Sequence, residues 1–109
     1  MTELELTQRI CNNAKYLALI DNKPIGDVEK AIGVSVGYFS RTLKHGVNIP
    51  LAKVVRLAEY FKIHIDFLIY RNYEVEYLDR QIEVMKSRLV NLYELESEKV
   101  RTTHEKDIL

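Results

Sequence analysis

The stretch GVSVGYFSRTLKHG, Gly33 to Gly46, sets Ser35, Ser40, Arg41, Lys44 and His45 in one turn and one short run of helical spacing. Hydroxyls, a guanidinium, an ammonium and an imidazole share one chemistry, the donation of hydrogen bonds and positive charge to acceptor-rich partners. Phe39 and Leu43, four residues apart, mark the side that meets a core, with Val34 in the turn before them. The opposite side offers Val36, Gly37, Tyr38, Ser40, Arg41 and Lys44. A cation on a short exposed helix is by default only solvated, so the surrounding elements must decide whether this side is a binding face.

Other chemistry is poorly represented. His45, His64 and His104 show no metal-ligand spacing with Cys11 or with paired carboxylates, and no phosphate-binding glycine loop or nucleophile motif is present. No enzyme, metal or cofactor is expected on these grounds. Cys11 is the only cysteine and sits in a helical pattern that a small apolar residue would satisfy, which marks it as structural.

The chain has 109 residues, 47% hydrophobic and 29% charged, the composition of one globular domain with at most an appendage. No apolar run is long enough for a membrane span and MTELELTQRI lacks the pattern of a leader, so a cytoplasmic location without membrane partners is expected. The net charge of zero hides an asymmetry. Residues 1–70 carry nine Lys or Arg against seven Asp or Glu, and residues 71–109 carry seven against nine. Within 35–62, Arg41, Lys44, Lys53, Arg56 and Lys62 face Glu59 alone, a local +4 around the opening stretch.

Helical spacing dominates the first part. Leu6, Ile10, Ala14, Leu17 and Ala18 predict a helix over 3–20, opened by a Thr2 and Glu5 capping box and closed by the turn DNKP. A short helix over 26–32 buries Val28, Ala31 and Ile32 and stops at Gly33, and Ser35 caps a third over 36–44 that ends at His45 and Gly46. Pro50 opens a fourth helix with the stripe Leu51, Val54, Leu57, Ala58 and Phe61. HIDFLIY supplies a fifth, with Ile65, Leu68 and Ile69 inward. The fold class expected is all-α, with 1–70 as one domain and 71–109 as a C-terminal helix and charged tail.

A short helix, a glycine-containing turn and a second short helix form a helix-turn-helix, whose second helix must be apolar towards the core and polar or small towards base edges. VEKAIGVS (28–35), GYFSR (37–41) and LAEYFKIHIDFLI (57–69) resemble the Cro and phage-repressor type of helix-turn-helix regulators, the XRE-like family. The resemblance covers about residues 6–70 and implies a five-helix repressor-like domain that binds double-stranded DNA. By matching position it implies Gly37, Tyr38 and Arg41 on the base-facing side, with Arg41 suited to a bidentate contact with guanine. Ser40 and Lys44, with Lys53 or His45, are implied as phosphate contacts, and Ser35 and Val36 complete the expected DNA-binding residues. The chain departs from the pattern at Glu29, where a small Ala is usual, and at Lys62, where glycine usually follows the fourth helix. The loop before Pro50 is one residue longer, and Leu43 or Lys44 replaces a usual Glu.

From Tyr73 the spacing becomes 3, 4, 3, 4, 3 through Val75, Leu78, Ile82, Met85, Leu89 and Leu92, with no Gly or Pro from Asn72 onwards. Val75, Ile82 and Leu89 take heptad position a, and Leu78, Met85 and Leu92 position d, a seam that pairs with a second copy or packs back on its own domain. Tyr77, Val84, Val90, Tyr93 and Leu95 widen the apolar face. The next seam positions, Glu96 and Lys99, end it, and SEKVRTTHEKDIL is expected as frayed or exposed helix. Because helix-turn-helix proteins usually read two half-sites as symmetric dimers, the expected protein is a DNA-binding transcriptional regulator, a homodimer or higher homo-oligomer through this helix. The alternative is a protein-interaction module or antitoxin-like adaptor on the same fold, whose C-terminal helix grips another protein.

Overall fold

The computed structural model describes the backbone of residues 1–108 and the side chains of residues 1–98. Six helices follow in order: α1 (Glu3–Ile20), α2 (Ile25–Ala31), α3 (Tyr38–His45), α4 (Leu51–Phe61), α5 (Ile65–Tyr70) and α6 (Tyr73–Ile108). The protein is all-helical, with no strand among the described residues. No described helix is long and apolar enough to cross a membrane.

The capping box opens α1: the Thr2 hydroxyl accepts the Glu5 N–H at 3.2 Å and the Glu5 carboxylate accepts the Thr2 N–H at 3.4 Å. From there Ile10, Cys11, Ala14, Leu17 and Ala18 are buried, and α1 packs against each of α2, α3, α4 and α5. Its neighbours contribute Val28, Ile32, Phe39, Val54, Leu57, Ala58 and Leu68, which close one core. Burial of a Leu or Phe side chain stabilises by about 1.5 to 3 kcal/mol, so α1 is the axis on which the short helices depend.

Helices α1 to α4 end in one recurring way, a left-handed residue that lets the following N–H reach back to a carbonyl of the last turn. Gly33 (φ +82°) and Gly46 (φ +63°) serve α2 and α3, where Val34 N–H meets the Glu29 carbonyl at 3.0 Å and Val47 N–H meets that of Thr42 at 3.2 Å. Asn22 and Lys62, each at φ +55°, serve α1 and α4. Lys62 does so without a glycine's freedom, at a cost of about 1 kcal/mol.

Three sequence expectations shift. Helix α3 begins at Tyr38 instead of Val36, because the cap is not the Ser35 hydroxyl. Ala31 is exposed although the spacing placed it inward, since α2 makes less than two turns and its inner side is filled by Val28, Glu29 and Ile32. Leu51 is 72% exposed, because it opens α4 one turn before the buried Val54.

The chain divides into two compact units, Met1–Tyr77 and Leu78–Leu109. The first extends past α5 because Asn13, buried in α1, holds the next junction. Its amide donates to the Leu68 and Arg71 carbonyls at 2.7 and 2.9 Å, and its oxygen accepts the Tyr73 N–H at 3.1 Å. Tyr73 is 4% exposed, and the Tyr16 and Tyr77 rings lie 5.6 Å apart. In the second unit the helix exposes Leu78, Ile82, Met85, Leu89 and Leu92. Its backbone is helical to Ile108; the side chains of residues 99–109, including His104 and most of the expected exposed tail, lie outside the described residues.

Candidate nucleic-acid interface

The geometry of α2, the turn and α3 is set by a residue outside the candidate set. Glu29 is 1% exposed, and its two oxygens accept the N–H groups of Gly37 and Phe39, each at 2.9 Å. Two of the N–H groups that a helix start leaves unpaired thus meet a carboxylate, which also lies favourably at the positive end of the α3 dipole. The backbone carbonyl of the same residue accepts Val34 N–H. One residue therefore fixes the end of α2, the course of the turn and the start of α3.

This replaces the capping expected of Ser35. The Ser35 hydroxyl instead accepts Arg41 Nη2, while Arg41 Nη1 donates to the Val36 carbonyl at 3.0 Å. The guanidinium lies back along the turn, over Gly37. A Cβ at Gly37 would stand 2.8 Å from Arg41 Nη1, and the residue has φ +89°. Glycine is required here twice over, by the backbone and by the side chain that crosses it.

Val36, Ser40, Arg41, Lys44 and His45 are exposed, and Gly37 and Tyr38 are half-buried. The Tyr38 ring meets that of Phe39 edge-on at 5.7 Å, so it is braced from within. On the inner side Phe39 and Thr42 are buried, with Leu43 packed partly against the core. The structure thus brings Ser35, Val36, Gly37 and Arg41 into mutual contact and carries Ser40, Lys44 and His45 on the same helix.

Lys53 is placed differently. Its ammonium donates to the Ile32 and Gly33 carbonyls at 3.3 and 3.4 Å, and Arg56 Nη1, one turn along α4, donates to the Ile32 carbonyl at 3.4 Å. Two cations thus converge on the carbonyl end of α2, the negative pole of its dipole. Arg56 was not among the sequence candidates; its spacing of three from Lys53 is the signal that pairs them. Glu29 was visible only as an unusual residue eight positions before Gly37.

Among the described residues no group of three His, Cys, Asp or Glu could hold a metal ion. An apolar groove of about 310 Å³ between α1, α4, α5 and the α3–α4 loop is lined by Leu6, Ile10, Ile49, Val54 and Ile65, with Glu3 and Asn48 hydrogen-bonded to each other at 3.1 Å. It contains no set of acid, base and nucleophile. No family model matches the chain, and neither a curated protein nor a solved structure matches it.

Proposed function

We propose that the chain is a sequence-specific, double-stranded-DNA-binding transcriptional regulator of bacterial or phage type, repressor-like and cytoplasmic. In this reading α1–α5 form an XRE-like domain with α2 and α3 as its helix-turn-helix, and α6 makes the protein a dimer or larger oligomer. The observation that carries the reading is the α2–turn–α3 unit itself. Glu29 fixes the start of α3 with two hydrogen bonds, and α3 exposes Ser40, Arg41 and Lys44 within a stretch of net charge +4.

Helix α3 enters the major groove, about 12 Å wide, while α2 crosses the backbone. Arg41 is the base-reading side chain. A guanidinium has five N–H donors; the turn engages two of them, and those left suffice for a bidentate contact to guanine. Tyr38 meets a thymine methyl, a sugar or a phosphate, and Ser40, Lys44 and His45 hold phosphates. Lys53 gives two of its three ammonium protons to the Ile32 and Gly33 carbonyls and has one left for a phosphate, a second-rank contact. With so few long side chains aimed at bases, part of the specificity comes from DNA shape.

Selection from random duplexes followed by titration at several salt concentrations tests this. One sequence family is enriched, and affinity falls linearly on a log–log plot against salt. Arg41→Ala costs about 1 to 3 kcal/mol and relaxes preference at one base pair, whereas Lys44→Ala weakens all sequences alike and lowers the salt slope by about 1. No enrichment, or wild-type binding by both variants, overturns the proposal.

A further inference from the structure

Val75, Leu78, Ile82, Met85, Leu89 and Leu92 are each between 47 and 66% exposed along one seam of α6. A continuous apolar stripe of this length is stable in water only when covered. In the proposed oligomer a second copy is its occupant, and the orientation of the pair rests on that reading. The core layers fit a partner running in either direction. The flanking heptad positions e and g, which set orientation in paired helices, therefore decide.

In a parallel pair Glu74 at g stands beside the partner's Asp79 at e, and Lys86 beside the partner's Gln81. That gives two copies of a like-charge contact and no opposite-charge one. In an antiparallel pair the seam closes with Ile82 against the partner's Met85 and Leu78 against the partner's Leu89. Asp79 then lies beside the partner's Lys86, twice by symmetry, and Gln81 beside the partner's Arg88. Asp79 and Lys86 are both exposed, and Lys86 is only loosely held in its own helix, 3.8 Å from Glu83.

We propose that α6 pairs antiparallel with the same helix of a second copy, in the register that sets Asp79 beside the partner's Lys86. The two-fold axis runs between the two helices, perpendicular to both, level with the link from Glu83 to Val84 in each. Such an isologous contact gives a closed, symmetric dimer, the arrangement two half-sites require.

Charge exchange in the full-length protein separates the orientations by sign. In the antiparallel pair Asp79→Lys sets two ammonium groups together at both ends and raises the dimer dissociation constant about tenfold by sedimentation equilibrium. Asp79→Lys with Lys86→Asp brings it back to within about twofold, since each exchanged pair is again opposite in charge. In a parallel pair Asp79→Lys would instead face Glu74 and tighten the dimer. Disulfide trapping in a Cys11→Ala background gives a second readout: an equal mixture of Leu78→Cys and Leu89→Cys chains cross-links, and neither chain does so alone. A tightened Asp79→Lys dimer, or Leu78→Cys chains that cross-link to each other, overturns the orientation and leaves self-association standing. A full-length chain that stays monomeric at every concentration overturns the oligomer reading and this one with it.

Discussion

The carboxylate of Glu29, buried in α2, accepts the Phe39 N–H at the first turn of α3 at 2.9 Å. Its second oxygen takes the Gly37 N–H at the same distance. With the side chain removed, two helix-start N–H groups lose their acceptor where water has little access. Glu29→Ala therefore destabilises by about 2 to 3 kcal/mol. Glu29→Gln keeps the shape but turns an NH₂ towards one of the N–H groups, so it does not rescue the full loss. Urea midpoints of the three proteins check this; a shift worth less than about 0.5 kcal/mol for the alanine variant would show that the two bonds contribute little.

Gly37 links that cap to the candidate reading side chain. Gly37→Ala meets a left-handed backbone, at a cost of about 1 to 2 kcal/mol, and its Cβ would lie 2.8 Å from Arg41 Nη1. The guanidinium is the flexible end of its side chain and moves aside, losing its contacts with Ser35 and Val36. The expected outcome is a modest fall in stability with a larger fall in duplex affinity, of a size similar to that of Arg41→Ala. Equal affinity at full occupancy of the folded state would separate the turn contacts of Arg41 from binding.

Local signals were the legible ones. The Thr2 and Glu5 capping box, Gly33 and Gly46 depend on residues within one turn of each other, and the helix ends they mark lie within two residues of those read from spacing. Ser35 failed as a cap because its competitor arrives from another helix: Glu29 lies in α2 and reaches α3 through tertiary packing, which no local pattern encodes. Lys53 shows the same limit for a long side chain. Its charge was legible, but its destination at the Ile32 and Gly33 carbonyls depends on how α4 packs on α2. Leu51 and Ala31 sit at the edges of apolar stripes, where a period of 3.6 assigns inside and outside least sharply.

Cys11 gives the fold an alkaline limit. Burial pushes its thiol up from 9.0 to about 12, so between these values the unfolded chain has released the proton that the folded chain still holds. The stability linked to this group is complete below pH 9 and falls as pH rises towards 12, by at most about 1.4 kcal/mol per unit. Burial raises the Tyr73 phenol as well, which adds a loss of the same sign at higher pH. Cys11→Ala removes only the first component. Urea midpoints at pH 8, 9.5 and 10.5 should therefore fall more steeply for the wild type than for the variant; parallel declines would mean that the thiol ionises as freely in the fold as outside it.

Asn13 is the polar counterpart in the same helix. It gives both amide protons, to the Leu68 and Arg71 carbonyls, and takes one from Tyr73 N–H, so the end of α5 and the start of α6 are joined through one side chain. Asn13→Ala leaves these groups without that partner in a site where Asn13 itself is 2% exposed, and costs about 2 to 4 kcal/mol. Asn13→Asp is the sharper test. An ionised carboxylate still accepts from Tyr73 but points charge at two carbonyl oxygens, so this variant is the less stable of the two at neutral pH. Protonation at acid pH returns one donor, and the gap between Asn13→Asp and Asn13→Ala closes as pH falls. Hydrogen exchange at the Tyr73 amide reports the junction directly: protection drops in Asn13→Ala, while an unchanged rate would place the hold on α6 in the Tyr16–Tyr77 contact instead.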